Sequence, residues 1–285
     1  MKVAFQGEIG AFSEEAVRAL YPEGEPVAMK AFEDVFGAVE AGEVDRGVIP
    51  IENSLFGSVH VNYDLLRSHN LWILAEWNLR IRHHLLGAPG SSMDQIQEVR
   101  SHPQALGQCQ TFLKSHLPEA RRVPAYDTAG SAKWVAETGD TSIAAIASAQ
   151  AGKEYGLTFL AEGIESNQMN YTRFLALARR DEGEPTMPAR LAGHEGSIKT
   201  SIVYAMRENV PGVLFKSLAV FALRDFDLLK IESRPLVGTP GSYVFYLDLE
   251  GSLTNPSVQR ALEHLSEITA FVKVLGSYPK RVLTP

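Results

Sequence analysis

The first 180 residues pass repeatedly from a strand into a helix, and no other feature narrows the possible folds as far. The segments "KVAFQG", "RGVIPIEN", "QEVRSH", "ARRVPAYD" and "SIAAIAS" read as strands. Each is followed by a helical stretch: "SEEAVRALY", "VHVNYDLLRSH", the run around Cys109, "AGSAKWVAE" and "AQAGKEYG". Such alternation predicts an α/β region with a mostly parallel sheet and helices on both faces. Residues 71–88, "LWILAEWNLRIRHHLLGA", read as one long extended segment crossing between two lobes.

Residues 181–197, "DEGEPTMPARLAGHEGS", are charged, aperiodic and rich in Gly and Pro, which is linker composition. They separate a first region, 1–180, from a second, 198–279. The second reads strand, helix, strand, strand, helix, strand: the βαββαβ order of a ferredoxin-like fold. "GTPGS", 238–242, is expected to turn the hairpin between its second and third strands.

A net charge of -7 gives nucleic acid no electrostatic attraction. An anionic ligand would have to rely on local dipoles and a few placed cations. The single cysteine, Cys109, rules out an intrachain disulfide and reads as a small core residue. No apolar run approaches the length of a membrane span, and no secretory leader precedes "MKVAFQG", so a cytoplasmic protein is expected.

The strand-to-helix junctions carry small and hydroxylic residues: Gly7, Gly10 and Ser13; Asn53 and Ser54; Ser101, His102 and Gln104; Asp127, Thr128 and Ser131; Ser148 and Gln150. Helix N-termini offer unpaired N–H groups and positive dipole charge, and open α/β sheets bind ligands beyond the carboxyl ends of their strands. The same residues are also ordinary N-caps. Neither a P-loop nor a dinucleotide fingerprint is present. His83 and His84 are adjacent on an extended segment, face opposite ways, and suggest no metal site. In "SNQMNYTRFLALARR", 166–180, Thr172 and Arg173 precede a buried-looking apolar run. Alternation sends Thr172 to one face with Asn170 and Phe174, and Arg173 to the other.

"NYTRF", with "PIENSLFGSV" before it and "KIESRP" after it, resembles the prephenate dehydratase family over the whole chain. The triplet Thr172-Arg173-Phe174 and the motif Glu232-Ser233-Arg234-Pro235 match intact. The family's Gly-Ala-Leu-Val stretch appears as Gly212-Val213-Leu214-Phe215, a departure at two positions.

The resemblance implies a two-lobed, periplasmic-binding-protein-like dehydratase domain at 1–180 and an ACT regulatory domain at 198–279. It implies that prephenate loses CO2 and water to give phenylpyruvate, with no cofactor and no metal. Thr172 would assist the leaving hydroxyl, with Arg173 and Phe174 completing the signature. Ser13, Asn53, Ser54, Gln104, Thr128 and Asn170 are the candidates for holding the substrate. L-phenylalanine would bind the ACT domain near Asn209, Pro211, Gly212, Val213, Leu214, Glu232, Ser233 and Arg234 as a feedback inhibitor. That site is expected to lie across a dimer interface in a homo-oligomer, dimer or tetramer, which covers exposed strands around 200–206 and 229–234. Arogenate dehydratase and a non-catalytic amino-acid-binding module are the competing readings. Chorismate mutase activity is not expected, because no helical segment precedes residue 1.

Overall fold

The computed structural model describes residues 1–180, 197–236 and 238–280. Except for Ser197, the expected linker lies outside the described residues. In chain order the elements are β1 (Lys2–Gln6), α1 (Phe12–Leu20), β2 (Glu25–Met29), α2 (Phe32–Ala41), β3 (Arg46–Asn53), β4 (Gly57–Ser58), α3 (His60–Ser68) and β5 (Leu71–Arg80). There follow β6 (His84–Gly87), β7 (Glu98–Ser101), α4 (Pro103–Gln108), α5 (Gln110–His116), β8 (Arg121–Pro124), α6 (Thr128–Thr138), β9 (Ile143–Ala147), α7 (Ala149–Glu154), β10 (Thr158–Ala161) and β11 (Tyr171–Arg179). The last are β12 (Ile198–Met206), α8 (Val213–Ala222), β13 (Leu228–Pro235), β14 (Tyr243–Glu250), α9 (Pro256–Ile268) and β15 (Thr269–Pro279).

These elements form two compact units, both discontinuous in sequence: Met1–Val59 with Trp77–Phe174, and His60–Glu76 with Leu175–Pro285. Residues 60–76, which the sequence places in the first region, therefore belong to the second unit. The division passes through the middle of β5 and of β11.

The first unit holds two sheets. In one, β1 is flanked in parallel by β2 and β3, and the short β4 folds back antiparallel on β3. Val3, Ala4 and Phe5 are fully buried, the continuous apolar run that a strand covered on both faces requires. The other sheet runs β10-β6-β9-β7-β8. Here β7 is parallel to β8 and β9, whereas β6 is antiparallel to β9 and β10. The sheets are thus mixed, each combining a parallel group with antiparallel strands. The antiparallel strands β6 and β10 are the ones by which the chain enters and leaves the second sheet.

The expected single extended segment 71–88 breaks at 81–83, and its halves join different sheets. The break is fixed by two backbone bonds outside any ladder: Ile81 N donates to Asn170 O at 2.8 Å, and His83 N to a Glu165 carboxylate oxygen at 3.0 Å. The helix expected around Cys109 is likewise two short helices meeting at that residue, whose thiol is buried. Burial pushes the thiol's pKa up, which leaves it inert.

The second unit has the βαββαβ order, with β13-β14-β12-β15 antiparallel throughout. Its core gathers Ile202, Tyr204, Phe221, Leu247, Val258 and Leu265. β12 is central and buried, so the expected exposure of 200–206 is not met; β13 is the edge strand. The turn at 238–242 is present, and Asn209 donates to Gly241 O at 2.7 Å. α3 also belongs to this unit. Lys273 donates to the carbonyls of Leu66, Arg67 and His69 at 3.0, 2.9 and 2.6 Å, a cation closing the helix's negative end. None of the described helices is long and apolar enough to cross a membrane.

Candidate active site

A cavity of about 530 Å³ opens in the first unit, lined by strands of its first sheet and by the segments that follow β7 and β8 of its second. Of the residues singled out from the sequence, Ser13, Asn53, Gln104, Thr128 and Thr172 line it. Widely spaced segments of the chain converge there because strand ends and helix starts of a βα fold collect on one side.

Gln6 and Gly7 border the cavity, and the loop that follows them leads into α1. Gly10 has φ +89, and a β-carbon there would lie 2.7 Å from Ala151 Cα. Ser148 Oγ donates to Gly10 O at 2.6 Å, and Tyr155 donates to Ile9 O at 2.7 Å. The glycine thus admits the close approach that pins this loop to α7. Beyond it α1 begins with no side-chain cap, and Ala11, Phe12 and Ser13 line the cavity. Its first-turn N–H groups and dipole favour an anion, and the buried Glu14 carboxylate already takes the neighbouring Gly10 N–H at 2.6 Å.

Asn53 organises the opposite wall. Its Oδ1 accepts the backbone N–H groups of Leu55 and Phe56 at 2.9 and 3.1 Å. Its Nδ2 donates to Asn170 Oδ1 and to Thr172 Oγ1, both at 2.9 Å. The Thr172 hydroxyl is therefore an acceptor in this network. Among the described residues nothing receives its own proton, which is left for the cavity.

The strand alternation places Thr172 at the cavity and leaves Arg173 off its lining. Asn170 and Phe174, expected to share the pocket face, do not line it: both are buried, Asn170 behind Asn53 and Phe174 in the core. Ser54 is also outside the lining. Its hydroxyl donates to Met169 O at 2.7 Å and accepts from Tyr171 N at 2.9 Å, holding β11 in place.

Sequence reasoning left His83, Gln108 and Asp127 out of the substrate-holding set, and all three line the cavity with His102. His83 Nε2 is bonded to the Gln108 side chain, and Phe12 meets the ring edge-on. Burial lowers the His83 pKa, so the ring is neutral near pH 7. His102 caps α4 by accepting Gln104 N–H at Nδ1, 3.3 Å. Asp127 caps α6 by accepting Gly130 N–H. The placed cations expected for an anionic ligand are missing from the lining, which contains no lysine or arginine.

In the second unit, Arg234 binds Asp64 at 2.6 Å and His60 at 2.8 Å, and Glu232 lies 3.5 Å from His60. Both side chains therefore turn toward α3, and Ser233 is exposed on the other face of β13. Asn209 and Val213 border a recess of only about 20 Å³ with Ser242 and Tyr243. Gly212, at φ +79, precedes the first turn of α8, which carries Val213 and Leu214.

A family model described as prephenate dehydratase matches residues 3–182. An Arabidopsis thaliana protein named arogenate dehydratase/prephenate dehydratase 2, chloroplastic, is 47% identical over 98% of this chain and 73% of its own length. Among solved structures, a prephenate dehydratase from Arthrobacter aurescens in complex with L-Phe superposes with TM-score 0.87 at 32% identity, over 98% of this chain and 90% of that one. A protein described as a novel type of quorum quenching acylase does so with TM-score 0.88 at 32% identity, over 99% and 98%.

Proposed function

The chain belongs to the prephenate dehydratase family, and from that premise we propose that it converts prephenate into phenylpyruvate, CO2 and water. The observation that carries this reading is the Thr172 hydroxyl, held at the cavity by Asn53 with its proton free to donate. In the reaction the bond between the ring and its carboxylate breaks, and its electrons enter the ring. The C4 hydroxyl takes up one proton from solvent and departs as water, and the ring becomes aromatic. Thr172 donates a hydrogen bond to the departing oxygen; a threonine is too weak an acid to do more alone. The catalyst's remaining task is orientation, which is worth many orders of magnitude in rate. The uncapped start of α1 supplies backbone N–H groups for a substrate carboxylate.

Incubating the purified chain with prephenate and reading phenylpyruvate absorbance in alkali tests the proposal. Product formation no faster than the uncatalysed background would overturn it. Arogenate is the second reading, favoured by the name of the plant relative. An acylase reading gains no support from Thr172, whose hydroxyl is bonded to an amide and not to a base.

Residues 1–180 are proposed as the two-lobed dehydratase domain and 198–279 as an ACT regulatory domain that binds L-phenylalanine. The solved L-Phe complex of a relative supports an effector role. The recess at Asn209 and Val213 is far too small for phenylalanine in one chain. Val210, Phe215 and Ile231 of the same unit are 42%, 75% and 46% exposed. A second copy covering them in a homo-oligomer would complete the site. A cytoplasmic location belongs to the same proposal, and cell fractionation tests it.

A further inference from the structure

The cavity lining carries one carboxylate and no lysine or arginine. Burial holds the ring of His83 neutral, and His102 spends its Nδ1 on capping α4. Asp127 is half-buried at the start of α6. Its Oδ1 takes the Gly130 N–H, and its Oδ2 has no hydrogen bond or ion pair among the described residues. His102 and Lys133 act on it only at a distance, Lys133 being bonded to Glu8 at 3.0 Å, and Glu8 adds a second negative charge nearby. Burial is the main cause raising the Asp127 pKa, as expected for a carboxylate without a cation of its own. Such a group stays costly until a ligand brings positive charge.

The dehydratase reading admits two forms of substrate that differ at one point. Prephenate carries a keto group beside its side-chain carboxylate; arogenate carries an ammonium there. The ring chemistry is identical, so a charged group beside the side chain discriminates between them without taking part in the elimination. We infer that Asp127 is the specificity-determining residue of the cavity: it receives the ammonium of arogenate, and the chain dehydrates this amino-acid form to phenylalanine as well as the keto acid. This rests on the dehydratase reading. The loose carboxylate oxygen is the acceptor, while its twin keeps capping α6. Prephenate, with two negative charges and no cation, meets the same oxygen as a repulsion.

Asparagine and serine cap helices about as well as aspartate, so Asp127→Asn and Asp127→Ser remove the charge and spare the cap. The test measures kcat and KM of the full chain for both substrates, reading phenylalanine by chromatography and phenylpyruvate by absorbance. The ratio of kcat/KM for arogenate over prephenate should fall about 30-fold in each variant, the scale of one charged hydrogen bond. The fall should come chiefly from a higher KM for arogenate, with kcat/KM for prephenate rising. Equal changes for both substrates, or an unchanged ratio, would make Asp127 a cap only. A wild type that turns over prephenate but not arogenate would also overturn the inference. A wild type inactive on both would overturn the dehydratase reading itself.

Discussion

The Asn53 amide donates to the Thr172 hydroxyl across 2.9 Å, and the direction of that bond decides what the threonine can do. Amide oxygen and nitrogen can be interchanged in many structures, but not here: one end of Asn53 accepts two backbone N–H groups. Thr172 must therefore accept from Asn53, and its proton points elsewhere.

Thr172→Val keeps the shape of the side chain and removes the donor, so kcat should fall about 100-fold or more. Thr172→Ser should retain more activity than the valine variant. Asn53→Asp keeps the acceptor for Leu55 and Phe56 but turns the donor into an acceptor, drawing the threonine proton away from the cavity. A similar loss in kcat is expected, with a lower unfolding midpoint because the buried Asn170 Oδ1 loses its donor. Steady-state kinetics on prephenate would refute the scheme if Thr172→Val stayed within a few-fold of wild type.

Lys199 is 2.5 Å from Glu76 and 3.5 Å from Asp248, all three in the interior of the second unit. Lys199→Met leaves two buried acids without this cation and should cost about 3–5 kcal/mol of stability. Urea unfolding measures it; a loss below about 1 kcal/mol would show that water reaches the carboxylates.

His83 and His84 are both buried, and burial lowers both pKa values from 6.5. The unfolded chain therefore binds more protons than the folded one near pH 6. Their contribution to stability is complete above about pH 6.5 and is lost as the pH falls toward the folded pKa values. Each histidine adds at most about 1.4 kcal/mol per pH unit to that slope. His84→Leu should flatten the decline in urea midpoint between pH 7.5 and 5.5; an unaltered slope would mean that His84 titrates alike in the folded and unfolded states.

Phenylalanine should bind the full chain, and Ser233→Ala should weaken that binding about tenfold while sparing kcat. Gly212→Leu should do so more strongly, because φ +79 costs a leucine about 1–2 kcal/mol. If binding inhibits, linkage requires a bound prephenate analogue to weaken phenylalanine by the same factor. Calorimetric titration of the wild type and both variants checks this, and equal affinities in all three would move the effector site elsewhere.

Local sequence announced the elements whose partners scarcely matter. β1, β3 and β9 are apolar runs that stay strands in any α/β setting, and the βαββαβ order followed from periodicity and one hairpin turn. The break at 81–83 was not legible, because strand propensity on both sides is high and only Glu165 and Asn170, distant in sequence, end the ladder. Thr172 stood out through its triplet. Ser54 and Phe174 stood beside it in the same motifs, yet one ties down a strand and the other fills the core. Asp127 reads as an N-cap and is one; its second role depends on where the fold sets the start of α6.

His60–Glu76 folds with residues far beyond it in sequence, and the lysine that closes α3 is Lys273. The second unit is consequently not a cassette. A recombination event that trimmed the gene after residue 180 would delete the sheet against which His60–Glu76 is laid down. Swapping in a foreign tail would demand a compensating change 170 codons upstream, at Asp64 opposite Arg234 for instance. Descent should keep the two halves of the chain together, with matched substitutions at 60–76 and beyond 230.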